Sequence, residues 1–328
     1  MSAGTQPLVS IVTPVYNGEA FLEQCIESVL QQTYGNWEYV ILDNASTDRT
    51  PDIIAAYAER EPRIRALGNP ELLPQIPNWN RSMQAISPRS TYCKVVHADD
   101  LLFAECLERM VAVAERHPSV VIVGAYRIDG QRVNMTSIPF PQEFVPGREL
   151  CRKRLLGQWE DLFGSPTSLL YRAAPLRARG DTCFKLENPC TDTELCFELL
   201  RDGDYGFVHQ VLTMTRRHTA TETTAARASG VHSTGRTMIA RDLGACFLNP
   251  QEHRYAMALQ LGYHDQFLAR NPRKLLDREF RAKTRALYRS CGMRLNPLRI
   301  SALSARYAAR GLLTGVKRRV SGRGREAT

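Results

Sequence analysis

Several things are missing from this 328-residue chain, and each absence removes a class of function. No G-x-G-x-x-G follows the first strand-like segment, which argues against a dinucleotide-binding dehydrogenase. No G-x-x-x-x-G-K-[ST] is present, which sets aside a P-loop nucleotidase, and neither H-E-x-x-H nor G-x-S-x-G occurs. No apolar run approaches the roughly 20 residues needed to cross a bilayer. The opening Met1-Ser2-Ala3-Gly4-Thr5-Gln6 has no basic n-region, so no secretory signal is expected and a cytoplasmic location is. Nine cysteines are an odd number with no C-x-x-C pair among them. Free thiols in a reducing compartment fit better than a disulfide framework or a zinc site.

What is present is a 43% hydrophobic chain able to build a full core. Its net charge of +9 is unevenly spread. Residues 265–328 hold 17 Lys and Arg against 4 Asp and Glu, while the rest is slightly acidic. Such asymmetry is either a solvated helical face or a contact for an anionic partner, a membrane surface or nucleic acid.

Leu8–Thr13 is nearly continuously apolar, as a strand covered on both faces of a parallel sheet would be. Helical spacing follows at Leu22, Cys25/Ile26 and Val29/Leu30, then a second strand over Trp37–Leu42 that ends on Asp43. Thr50-Pro51 reads as a helix cap with proline in the first turn. A strand at Ile64–Leu67, a helix near 78–87, a strand at Tyr92–His97, a helix over 101–117 and a strand at Val120–Tyr126 continue the alternation. Ser168–Tyr171 and Phe207–Leu212 add later strands. Strands alternating with helices predict an α/β fold whose mostly parallel sheet binds ligands beyond its carboxyl ends. Past about residue 226 strand signals fade. Asn249-Pro250, Asn271-Pro272 and Asn296-Pro297 open three apparent short helices, with Gly262, Gly292 and Gly311 as candidate stops. A catalytic domain over 1–225 and a basic helical extension over 226–328 follow.

Four polar clusters fall at or after strand ends: Thr13–Asn17, Asp43–Asp48, His97–Asp100 and Asp192–Glu194. Asn44 and Asp48 could equally be turn residues. The adjacent Asp99 and Asp100 repel unless a cation or hydrogen bonds hold them, and hard oxygen ligands of this kind suit Mn²⁺ or Mg²⁺.

The order of these clusters resembles the family 2 glycosyltransferases, which have the GT-A fold. Val9–Asn17 is similar to that family's opening strand, and Tyr39–Asp48 to its second strand and D-[DN]-x-S-x-D turn. Asn78–Arg81 with Lys94–Leu102 resembles the segment carrying its metal motif. Gly164–Ser168 is similar to a loop near the acceptor, Asp192–Leu195 to the "ED" base motif, and Arg216-Arg217-His218 to a closing R-x-H element. The resemblance spans about 8–222 and leaves the sugar open. It departs at His97, where the family often has Asp, and at Thr191, where it usually has Glu.

The resemblance implies an inverting hexosyltransferase-like enzyme. Thr13, Tyr16, Asp43 and Ser46 are expected at the nucleotide-sugar donor, with Asp43 accepting from base or ribose. Asp99 is expected to ligate the divalent ion with Asp100 beside it, and the ion to neutralise the departing diphosphate. Asp192 is expected to take the acceptor proton. His218 is either a further metal or phosphate contact or a structural histidine, and Arg81 either meets the donor phosphates or is a surface arginine. The acceptor would be a glycan or lipid-linked glycan in cell-surface polysaccharide or glycolipid synthesis. The basic C-terminus would touch the anionic inner face of the plasma membrane, and no nucleic acid is expected. Two rivals are a metal-dependent nucleotidyltransferase, which lacks its Gly-rich basic loop here, and a non-catalytic sugar- or nucleic-acid-binding protein, which has no need of a base.

Overall fold

Val9–Val15 is buried along its whole length because a strand flanked on both sides needs apolar atoms on both faces. This strand, β1, pairs in parallel with β2 (Trp37–Asp43) on one side and β4 (Tyr92–Val95) on the other. The β1–β4 ladder stops at Val12, so Pro14, which has no N–H, costs no ladder bond. β3 (Ile64–Gly68) extends the parallel set beyond β2. The computed structural model describes residues 6–160, 162–217 and 230–307, in two units, Met1–Thr221 and Glu222–Thr328.

The remaining strands of the first unit are β5 (Leu101–Leu102), β6 (Val120–Asp129), β7 (Arg132–Asn134), β8 (Phe144–Val145), β9 (Leu169–Arg172) and β10 (Asp204–Thr215). The sheet order is β3-β2-β1-β4-β9-β6-β10-β5, with β7 and β8 at its margin. β9 runs antiparallel to both neighbours, whereas β10 is parallel to β6. The long ladders are thus parallel, as expected, with antiparallel insertions that the sequence reading did not resolve. Helices α1 (Leu22–Leu30), α2 (Thr50–Arg60), α3 (Gln75–Gln84), α4 (Cys106–Arg116), α5 (Gly147–Leu155), α6 (Ala173–Arg177) and α7 (Thr191–Leu200) complete the unit. One apolar core joins β1, β2, α1, α2 and α4. This is the mixed α/β architecture that the strand and helix alternation predicted.

Two boundaries differ from the sequence reading. The helix expected over 101–117 loses its first turn, because Leu101 and Leu102 pair with Met214 and Thr213 of β10. Thr50 is not the cap of α2. Arg49 holds that position, and Asp48 Oδ1 accepts the Thr50 amide at 3.0 Å.

The second unit contains α8 (Val231–Phe247), α9 (Pro250–Arg270), a 3₁₀ turn (Pro272–Leu276), α10 (Arg278–Ser290) and a helix over 297–307, here α11. No strand occurs among its described residues. Asn249 makes a full capping box with Glu252, and Asn296 Oδ1 accepts the Arg299 amide at 3.1 Å, so two of the three Asn-Pro signals open helices. The third, Asn271-Pro272, opens only the 3₁₀ turn, and Asp277 caps α10 instead, accepting the Phe280 amide at 2.9 Å. Gly292, at φ +70°, ends α10 as expected, whereas Gly262 lies inside α9 and Gly311 lies outside the described residues.

Candidate functional site

Because β9 runs against β4 and β6, its start faces the same sheet edge as the carboxyl ends of β1, β2, β4, β6 and β10. The four polar clusters of the sequence meet the chain at or near this edge. β1 has β2 on one side and β4 on the other, so the chain reverses its direction of winding there and opens a crevice.

The turns after β1 and β2 are tied to each other. Asn44 donates its amide to Val15 O at 2.8 Å, and Asn17 donates its amide to Ser46 Oγ at 2.9 Å. Thr47 returns its amide to Asn17 Oδ1 at 2.8 Å. Asn17 and Ala45 both adopt left-handed φ, +49° and +55°, which the reciprocal bonds hold in place. The Asp43 carboxylate accepts the Ser46 amide at 3.2 and 3.3 Å. Burial pushes Asp48 up, but the hydroxyl and amide of Thr50 and the amide of Glu19 outweigh it and hold the carboxyl below its usual range. Tyr16 stands 46% exposed above this frame. Behind it, Asn44 Oδ1 accepts from Asn69 Nδ2 at 2.7 Å and from the Leu73 amide at 3.0 Å, and Asn69 reaches Asn78 Oδ1 at 2.9 Å.

Thr13 is a correction. It is fully buried, its hydroxyl donating to Val96 O at 2.7 Å and sharing a bond with Tyr39 Oη at 2.9 Å. The side chain binds β1, β2 and β4 together beneath the crevice.

After β4 the chain turns through His97–Asp100, with the Asp100 amide on His97 O at 2.9 Å. The two carboxylates then part. Asp99 is half-buried, whereas Asp100 is 1% exposed. Burial pushes the Asp100 carboxyl up, the His97 ring opposes this, and Asp99 adds to it. Asp100 Oδ2 lies 3.9 Å from His97 Nδ1 and accepts from Thr215 Oγ1 at 3.5 Å. Asp100 as a metal ligand is therefore corrected to a buried support, because its oxygens face protein.

The His97 ring stacks on Trp79 at 5.3 Å, and Trp79 packs edge-on to Phe184 at the same centroid distance. Asn80 exchanges two hydrogen bonds with the Phe184 backbone, of 2.7 and 2.8 Å, fastening the segment before α7 to α3. The His97 amide donates to Thr167 Oγ1 at 3.1 Å, which brings the Gly164–Ser168 loop to the end of β4. Asp192 lies half-buried in the first turn of α7 and accepts the Thr193 amide at 2.7 Å. Several buried atoms in these segments have no hydrogen-bond partner, among them His97 Nε2, Ser165 Oγ, Ser168 Oγ, Thr191 Oγ1 and Glu194 Oε2. Orphaned polar atoms are costly, and a polar ligand would satisfy them.

Arg81 is exposed on α3, and Ser46 is fixed by the turn. His218 lies outside the described residues. Its neighbour Arg217 pairs with Asp129, and Arg216 reaches Gln24 and lies 5.0 Å over the Phe21 ring. The Trp79–His97–Phe184 stack and the Asn44–Asn69–Asn78 chain were missed. Neither has a sequence signal, since each joins residues distant along the chain.

Among the described residues no three His, Cys, Asp or Glu side chains gather as a metal-holding group. One half-buried carboxylate, Asp99, fits an ion that completes its oxygen shell from a diphosphate and water, as Mg²⁺ does.

Glycosyltransferase GlyG of Streptococcus pneumoniae serotype 4 is 30% identical over 151 residues, 45% of this chain and 47% of GlyG. GlyG and two Bacillus subtilis relatives are covered over only 36% to 56% of their own length. Among solved structures, residues 1–349 of TarS from S. aureus, in complex with UDP-GlcNAc, superpose with a TM-score of 0.64 at 18% identity, covering 90% of this chain and 88% of that one. The mannosyltransferase PcManGT from Pyrobaculum calidifontis, in complex with GDP-Man and Mn²⁺, gives 0.54 at 15% identity, covering 92% and 87%. These likenesses establish the GT-A fold. The family model for glycosyl transferase family 2 matches residues 10–180, more than half of the sequence, and the chain therefore belongs to that family.

Proposed function

We propose that the chain transfers a hexose-like unit from a nucleoside diphosphate sugar to an acceptor hydroxyl, with inversion, in building a cell-surface polysaccharide or glycolipid. The observation that carries this reading is the turn after β4, where half-buried Asp99 follows His97, whose amide and ring meet Thr167 and Trp79 in segments that lead to unpartnered hydroxyls and to Asp192. The fold shared with a UDP-GlcNAc complex and a GDP-Man complex supports a donor of that class.

Asp43, with Tyr16 exposed above it, receives the nucleoside; Ser46 and Asn17 shape the turn that presents Asp43. Asp99, and His218 with it, would hold Mn²⁺ or Mg²⁺, which when bound draws electron density from the diphosphate leaving group. Arg81, exposed on α3, is available to the donor phosphates. Asp192 accepts the proton of the attacking hydroxyl, and one displacement at the anomeric carbon inverts it with no covalent sugar–enzyme adduct. The orphaned Ser165, Ser168 and Thr191 hydroxyls are suited to sugar hydroxyls.

The test is release of nucleoside diphosphate from UDP-, GDP- and dTDP-sugars with Mn²⁺, with and without glycan acceptors. Turnover stimulated by an acceptor supports transfer. Release of inorganic pyrophosphate from a nucleoside triphosphate would point to a nucleotidyltransferase instead. Binding without any turnover would point to a non-catalytic sugar-binding protein.

A further inference from the structure

Helix α10 carries a line of arginines that no carboxylate pairs with among the described residues. Arg278, Arg281, Arg285 and Arg289 are spaced by three or four residues, which places them on one stripe of the helix. The stripe is about 16 Å long at 1.5 Å per residue. Thr284, Leu287 and Tyr288 are buried and anchor the helix, with the Tyr288 hydroxyl on Asp265; of the four arginines Arg281 lies nearest this buried side and is half-buried, and the other three are exposed. Nearby carboxylates are engaged elsewhere. Glu279 pairs with Lys283 at 2.7 Å, Asp265 with Arg299 at 3.0 Å, and Asp277 caps the helix. Among the described residues, no carboxylate pairs with any of the four, and Arg281 alone of them makes a protein hydrogen bond, to Leu275 O at 3.5 Å. Like charges three and four apart repel, so the stripe lowers the stability of its own helix unless an anion meets it.

Exposed apolar side chains precede and follow the helix. Leu276, 79% exposed, precedes the helix, and Met293, 43% exposed, follows it. Ala282 and Ala286 are exposed beside the arginines. A soluble polyanion has no use for exposed Leu and Met, whereas a lipid headgroup layer accepts both charges and shallow apolar side chains. We propose that α10 is a docking face for an anionic phospholipid surface, lying along the headgroups through Arg278, Arg281, Arg285 and Arg289. It is independent of the transfer reaction proposed above. It also moves the membrane contact expected at the extreme C-terminus to a described helix.

The experiment is sedimentation of the full chain with phosphatidylcholine vesicles, with and without phosphatidylglycerol, at low and high salt. Binding should require phosphatidylglycerol and vanish at high salt. Each basic side chain near such a surface strengthens partitioning about fivefold, so Arg278→Gln, Arg285→Gln and Arg289→Gln together should weaken it on the order of a hundredfold. The same three positions changed to Lys should retain most of the binding, because a headgroup layer reads charge. Circular dichroism and sugar transfer to a soluble acceptor should match the parent in both variants. Full binding by the Gln variant, with loss on deleting residues 316–328, would overturn the proposal in favour of the tail. So would stripe-dependent binding of soluble polyphosphate with no vesicle binding, which would identify a polyanionic polymer as the partner.

Discussion

Thr13→Val separates a residue that builds the site from one that touches the ligand. The substitution keeps shape and removes one hydroxyl from a fully buried position. Val96 O then loses a donor at 2.7 Å, and Tyr39 Oη loses a partner at 2.9 Å, keeping only a weak contact with Cys25 Sγ at 3.8 Å. Leaving a buried polar group unsatisfied costs about 1–3 kcal/mol, so two such groups should cost about 3 kcal/mol. For a unit of this size that lowers Tm by roughly 6–12 °C. Nucleoside diphosphate affinity should stay within about twofold, since separate sites usually perturb each other by less than half a kcal/mol. Calorimetric unfolding and titration with UDP or GDP in the presence of Mn²⁺ supply both numbers. An unchanged Tm combined with a large loss of affinity would refute the argument and return Thr13 to the ligand.

Asp99→Ala should abolish metal-dependent nucleotide binding and turnover, read by calorimetry with and without Mn²⁺; undiminished metal-dependent binding would place the ion elsewhere. Asp192→Asn should leave donor binding intact and slow transfer by about 10²–10⁴-fold, the usual effect of losing a positioned base. Lys94, fully buried on β4 with burial pulling its amine down and Met110 Sδ its hydrogen-bond acceptor at 3.6 Å, should be improved by Lys94→Met, which should raise Tm by several degrees. Burial holds the His264 ring down at about 4 against a usual 6.5, so the unfolded chain binds the proton first. Stability from this group is complete above pH 6.5 and falls as pH drops toward 4, by about 3 kcal/mol in all. Thermal unfolding of the C-terminal unit against pH should show that slope, and a flat profile would contradict it.

The sequence made the parallel half of the sheet legible because β1, β2 and β4 are short apolar runs ending in polar turns. β9 is the strand it could not orient. Ser168–Tyr171 has the composition of a strand, but its direction depends on which neighbours it meets, and that is decided by contacts far along the chain. For the candidate site the sequence offered acids without their surroundings. Asp43, Asp99 and Asp192 stand out as acids at strand or helix ends, whereas the Trp79–His97 stack and the Asn80–Phe184 bonds exist only once α3 and the segment before α7 have folded together. The helix expected to open at Asn271-Pro272 starts later for a local reason: the chain makes a 3₁₀ turn there, and the Asp277 side chain caps the helix that follows.

Asp99 and Asp100 are where sequence and structure diverge most usefully. Side by side they suggest two ligands for one ion. The turn closed by the Asp100 amide on His97 O sends the two side chains into different surroundings. Asp100 meets Thr215 at the end of β10, and Thr215 Oγ1 accepts from Arg127 Nη1 at 3.3 Å. Arg127 in turn meets Asp129, which Arg217 also holds. A buried carboxylate thus links the end of β4 to the ends of β6 and β10, just before the segment that carries His218. Removing it would leave Thr215 without its acceptor and take a nearby negative charge from Arg127, so an Asp100 substitution should disturb folding and chemistry together. The Asp99 substitution, at a half-buried position beside it, should disturb chemistry alone.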